Sequence, residues 1–246
     1  MTVAIIGGTG LTSLPGLEIT HREVVHTPYG EPSGPITHGL LHGKAVMFLA
    51  RHGYGHTIPP HRVNYRANIW ALKHLGADRV VAVAAVGGIT ESMSPQRLVF
   101  PDQIIDYTWS RQHTFFEVDL THVTHVDFTY PYDAELRAKL VAAAGQAGLD
   151  AVDGGTYGAT QGPRLETAAE IRRLRNDGCD IVGMTGMPEA VLARELDIAY
   201  AACAVVANWA AGVHGDQLIE MDEIRAAVAG GMDRVRLLLS RVVPLL

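Results

Sequence analysis

Cysteine is scarce in this chain of 246 residues, which holds only Cys179 and Cys203. A disulfide framework is excluded. Both thiols sit in apolar stretches without metal-ligand spacing, so they read as free buried thiols of a reducing compartment. Charge is also thin. Charged residues make up 19% of the chain, against a usual share of about 25%. The net charge of −6 leaves no electrostatic footprint for nucleic acid and no attraction to anionic lipid. Long apolar runs are missing as well. The longest, Ile198–Ala207, is ten residues, half of the roughly 20 that a membrane span needs. The opening Met-Thr-Val-Ala-Ile-Ile-Gly-Gly has no basic segment and no cleavable apolar segment, so a cytoplasmic protein is expected. Disorder is excluded in turn, because 48% of the residues are hydrophobic. So much apolar surface with so little charge hints that a partner subunit covers part of it.

What is present reads as alternating strands and helices. With no repeat, low-complexity tract or linker, residues 1–246 read as a single domain. Strands are expected at Val3–Ile6, Lys44–Ala50, Val80–Val86, Leu98–Ile105, Thr156–Thr160, Ile181–Gly183 and Ile198–Ala207. Helices are expected at Val63–Leu75, Asp133–Ala147, Thr167–Asn176, Pro188–Leu196 and Asp222–Val242. Asp133, Thr167 and Asp222 are candidate N-caps, and Pro188 suits a first helical turn. Strands apolar on both faces and separated by helices indicate an α/β sandwich. Glycine is plentiful at 26 residues, and the Gly-rich or polar turns follow the strands, where such folds collect ligands.

Those turns carry the candidate chemistry. Gly7-Gly8-Thr9-Gly10 follows a strand and reads either as an anion cradle or as a structural turn. It is not a dinucleotide fingerprint, because Ser13 stands where the third Gly belongs. Arg51-His52 ends another strand, and a buried Arg there must meet an anion or a carboxylate. A ligand phosphate and a structural ion pair are equally open. His122 and His125 form an HxxH pair near Asp119 and Asp127, but without a third ligand at convincing spacing they read as solvated loop residues and no metal site is expected. Glu166, in the turn Gln161–Thr167, either favours a helix N-terminus or accepts from a ligand N–H. Asn208 ends the most apolar strand, where an amide needs partners for both ends, and a ligand is one.

Taken together, IIGGTG at Ile5–Gly10, LARHGYGHTIPPHRVNYRANIWAL at Leu49–Leu72, GTYGATQGPRLETAAE at Gly155–Glu170 and GMTGMPEAVLARE at Gly183–Glu195 resemble the trimeric purine nucleoside phosphorylase and methylthioadenosine phosphorylase family. The resemblance implies a three-layer α/β/α sandwich around a mixed β-sheet. It implies a homotrimer that needs no cofactor or metal and uses inorganic phosphate as co-substrate. Phosphate would meet Thr9, Arg51, His52, Thr185 and the turn at Ala84-Ala85, where Ala84 replaces a hydrogen-bonding residue common in relatives. Met184 would lie against the ribose, and His125 would reach the 5′ end of a neighbouring subunit's substrate.

Asn208-Trp209-Ala210 stands where adenine-specific members carry two Asp around an aromatic residue. Glu166, beside Leu165, stands where 6-oxopurine members place a Glu. Both point to a 6-oxopurine base. Met221 replaces the His that ordinary members use for the 5′-hydroxyl and suits a thioether. The expected substrate is therefore S-methyl-5′-thioinosine, with S-methyl-5′-thioadenosine or inosine and guanosine as alternatives. A nucleotide-dependent oxidoreductase and a nucleoside-binding protein without catalysis are the rivals from other classes.

Overall fold

The computed structural model describes residues 2–118, 120–215 and 218–246. In chain order the regular elements are β1 (Thr2–Gly7), β2 (Glu18–Glu23), β3 (Ile36–Leu41), β4 (Lys44–Ala50), α1 (Tyr65–His74), β5 (Ala77–Gly88), β6 (Leu98–Phe100), β7 (Gln103–Asp106), α2 (Ala134–Gln146), β8 (Ala151–Asp153), β9 (Thr156–Ala159), α3 (Ala168–Asn176), β10 (Ile181–Gly183), α4 (Gly186–Glu195), β11 (Ala199–Trp209) and α5 (Met221–Val242). All strands join one mixed sheet. Its main path runs β2-β3-β4-β1-β5-β10-β9-β7, while β11 pairs with β5 and β6, and β6 with β8.

The middle of the sheet is parallel: β4 on β1, β1 on β5, and β5 on β11. Strand alternation sorts its side chains to two faces. Ala4, Ile6, Met47, Leu49, Val80 and Ala82 face one way and pack with Ile69 and Leu72 of α1 and Ala190 and Leu192 of α4. Val3, Ile5, Val46, Phe48, Val81 and Val83 face the other way and pack with Leu136 and Leu140 of α2 and Val235 and Leu239 of α5. That is the three-layer α/β/α sandwich. The run at Val80–Val86 is apolar throughout because both faces are covered.

Several boundaries differ from the sequence expectation. Leu98–Ile105 is two strands, because Pro101 cannot continue a ladder and the chain turns there. The ribbon β2–β3 and the short β8 were not anticipated. The long helix starts at Met221 with Glu220 at its N-cap and no side-chain cap, so Asp222 lies in the first turn, bonded to Arg225. The first helix starts at Tyr65, after the Asn64 side chain, which accepts from the Ala67 amide. Asp133 caps α2, and Thr167 forms a reciprocal capping box with Glu170. Met187 is non-helical (φ −116°, ψ 140°), so the regular turns of α4 begin at Pro188. Both cysteines are free and buried.

Candidate active site

The parallel strands β1, β4, β5 and β11 end side by side, and there the protein holds a cavity of about 430 Å³. Its floor is backbone. Gly8 follows β1, and a Cβ on it would stand 2.6 Å from the Val83 carbonyl and 2.9 Å from Arg51 Nη1. Only glycine lets the turn lie this close to β5 and the guanidinium. Thr9, at the exposed tip of this turn, lines the cavity together with Ala84 and Ala85 of β5 and Thr185. Thr185 is the N-cap of α4, yet its hydroxyl makes no capping bond. Its hydroxyl and backbone N–H face Tyr157 at the cavity wall.

Arg51 is the one cation in this lining, and it is completely enclosed. Its Nε and Nη2 donate to the two oxygens of Glu189 at 2.6 and 2.7 Å, and Nη1 donates to the Val83 carbonyl at 2.8 Å. Tyr200 donates to the same carboxylate at 2.8 Å. Burial opposes the charge on Arg51, but the Glu189 charge and hydrogen bonds outweigh it and raise the guanidinium pKa. The structural ion pair is therefore present, and Arg51 lines the cavity as well. His52 behaves oppositely. Burial, then the Arg51 charge, lowers its pKa to about 4, although its bond to the Ile58 carbonyl works the other way. That 2.8 Å bond to a carbonyl requires a proton on Nδ1. Neutral His52 therefore carries a lone pair on Nε2.

The far side of the cavity holds the other predicted residues. Asn208 Nδ2 donates to the Trp209 carbonyl at 2.7 Å, which leaves a second N–H and the amide oxygen. Glu166 accepts from Thr160 Oγ1 at 2.7 Å through one oxygen. Met184, Ala210 and Leu165 complete this part. Met221, Ile219 and Ile224 add an apolar group to the lining, with Ile219 close to Asn208.

Two predicted residues lie elsewhere. Trp209 points into a neighbouring cavity, with its ring 4.4 Å from that of His214. The end of β11 borders both cavities, since Asn208 and Ala210 line the neighbouring one as well, and its pairing with β5 shifts register between Val206 and Asn208. His125 is exposed and outside the cavity lining. Its partner in the HxxH pair, His122, is exposed too and meets the Thr121 hydroxyl. Asp119 lies outside the described residues.

Sequence reasoning missed the supports. Glu189 gave no signal because its partner Arg51 is 138 positions away in sequence, and Tyr200 gave none because its role is to donate to Glu189. Arg111 was missed as well. It is buried and donates to the carbonyls of Met184 (2.8 Å), Met187 (2.6 Å) and Gln161 (2.9 Å), which ties the Met184 and Gln161 segments together.

The cavity at the strand ends of this α/β sandwich thus gathers a guanidinium, hydroxyls, an amide and a carboxylate, and similarity to known proteins gives the class of protein that carries it. The phosphorylase superfamily model matches residues 2–244. The chain is 57% identical to the probable S-methyl-5′-thioinosine phosphorylase of Pseudomonas syringae pv. tomato, covering 99% of each chain. It is 48% identical to the 6-oxopurine nucleoside phosphorylase of Pyrococcus furiosus, over 98% of this chain and 91% of that one. Methylthioadenosine phosphorylase from Schistosoma mansoni, solved with adenine, superimposes with a TM-score of 0.93 at 32% identity, over 100% of this chain and 91% of that one. The chain belongs to the phosphorylase superfamily, as a nucleoside phosphorylase.

Proposed function

We propose that this chain phosphorolyses S-methyl-5′-thioinosine to hypoxanthine and 5-methylthioribose 1-phosphate. The observation that carries the reading is one cavity whose lining combines the polar Asn208 and Glu166 with the apolar Met221, Ile219 and Ile224. Glu166 is an acceptor, which suits the N1–H of hypoxanthine; adenine offers a lone pair there. A mismatched buried pair costs about 1–3 kcal/mol, enough for tenfold discrimination or more. The apolar group suits a thioether better than a hydroxyl, which would lose its water without gaining a partner. Relatives named as probable S-methyl-5′-thioinosine phosphorylases support the same reading.

In this reading phosphate lies against Thr9, Arg51, His52, Ala84, Ala85 and Thr185. Neutral His52 meets it through Nε2, as acceptor for the phosphate's own hydroxyl. The bond from C1′ to the purine breaks first, and its electron pair leaves with the base. The resulting oxocarbenium-like sugar is stabilised by the phosphate anion held beneath it. A phosphate oxygen then bonds C1′, and the purine anion takes a proton. Asn208 donates its free N–H to N7 or O6 as charge grows there, so this bond strengthens in the transition state. Met184 packs on the ribose. His125 serves the 5′ end of a neighbouring site in a cytoplasmic homotrimer. The chemistry uses no metal and no organic cofactor.

The test compares kcat/KM for methylthioinosine, methylthioadenosine and inosine, with and without phosphate. Methylthioinosine is expected to lead, and only with phosphate present. Equal use of inosine would overturn the 5′ assignment alone. A preference for methylthioadenosine would overturn the base assignment, and base release without phosphate would overturn phosphorolysis.

A further inference from the structure

The edge ribbon β2–β3 carries a second group of chemistry-bearing residues, none of which lines the cavity above. His21 and Glu23 are two apart on β2 and share a face, and His38 is the cross-strand partner of His21. The ligating atoms of all three lie within 4.8 Å of one another. The two imidazole rings stack at 4.3 Å with 9° between their planes. Their Nε2 atoms both approach Glu23 Oε2, at 3.9 Å from His21 and 3.3 Å from His38. His38 Nε2 is shielded from solvent and has no hydrogen-bond partner among the described residues.

The tautomer of His21 is set from behind. Thr20 Oγ1 lies 3.2 Å from the His38 carbonyl and must donate to it, since a carbonyl only accepts. The same oxygen lies 3.2 Å from His21 Nδ1 and therefore accepts from it. His21 Nδ1 is thus protonated, and its Nε2 lone pair faces Glu23. A hydroxyl that fixes the outer nitrogen so that the inner one is free to bind is the usual support of a metal-ligating histidine.

We propose that His21, Glu23 and His38 form a binding site for a divalent late transition metal, with zinc as its simplest occupant. Two imidazoles and a carboxylate are a zinc donor set, and binding one ion requires the stacked rings to turn so that both Nε2 lone pairs converge on it. Water fills the remaining position on the exposed side. Metal there cross-links β2 to β3 and takes no part in the chemistry of the cavity.

The test titrates the metal-stripped full-length protein with Zn²⁺ against a chromophoric chelator. One tight equivalent per chain is expected. His38→Ala and Glu23→Gln should each remove that equivalent, with circular dichroism confirming that the variants are folded. Thr20→Val keeps all three ligands and should weaken binding by about 10–100-fold. The proposal is overturned if the wild-type protein binds no stoichiometric zinc. Retention of the equivalent in both ligand variants overturns it equally.

Discussion

At Asn208 and Ala210 a base preference rests on very few atoms. Asn208 has one amide N–H committed to the Trp209 carbonyl and one uncommitted. Ala210 is buried and adds no polar atom. The double variant Asn208→Asp, Ala210→Asp replaces a donor with acceptors, which suit the amino group of adenine. The ratio of kcat/KM for methylthioadenosine over methylthioinosine should rise by tenfold or more, and an unchanged ratio would count against the base assignment. His52 makes a separate prediction about pH. Its folded pKa, about 4, lies below the unfolded value of about 6.5. Between these values the unfolded chain binds a proton that the native chain does not. Stability contributed by neutral His52 is thus full above about pH 6.5 and is lost as pH falls towards 4. The difference is of the order of 3 kcal/mol. Urea unfolding of His52→Gln should show a flatter pH dependence than wild type across that window; parallel curves would refute the shift.

The elements meet the site in ways that sequence shows unevenly. Strands followed by glycine or polar turns were legible because apolar runs and their breakers are local. So was the part of the cavity lining that follows β1, β4, β5 and β11, since turns after parallel strands converge wherever those strands lie side by side, while the stretch from His56 to Pro60 and the residues Ile219 and Ile224 were not named among the site residues. The ribbon β2–β3 was not legible: β2 is largely exposed and has no apolar alternation to read. Nor were the welds between elements, which depend on pairs far apart in sequence. One weld joins three of them: Arg51 after β4, Glu189 in α4 and Tyr200 in β11. Glu189→Gln keeps the shape but leaves Arg51 charged without a countercharge in the interior. Breaking such a buried pair costs about 3–5 kcal/mol. The melting temperature should fall, and KM for phosphate should change more than KM for nucleoside, because Arg51 and not Glu189 lines the cavity. Equal changes in both constants would reduce Glu189 to a general stabiliser.

On the scale of the molecule, the low charge and the position of His125 bear on one another. The chain exposes Leu120, Val123 and Tyr130 around His125, so this loop presents apolar surface as well as an imidazole. A loop of that kind, far from its own cavity, suits insertion into a neighbour, and in a cyclic trimer each subunit would complete the next. The prediction is one of complementation. His125→Ala and Asn208→Ala should each be poorly active alone. Co-expressed in equal amounts they form mixed trimers in which about a quarter of the sites pair an intact Asn208 with a neighbour's intact His125. Activity should therefore recover towards about a quarter of the wild-type rate, while the purified variants mixed without subunit exchange stay inactive. A His125 that served its own subunit would yield no recovery, because no chain in the mixture carries both residues, and a His125 with no role would leave His125→Ala active on its own.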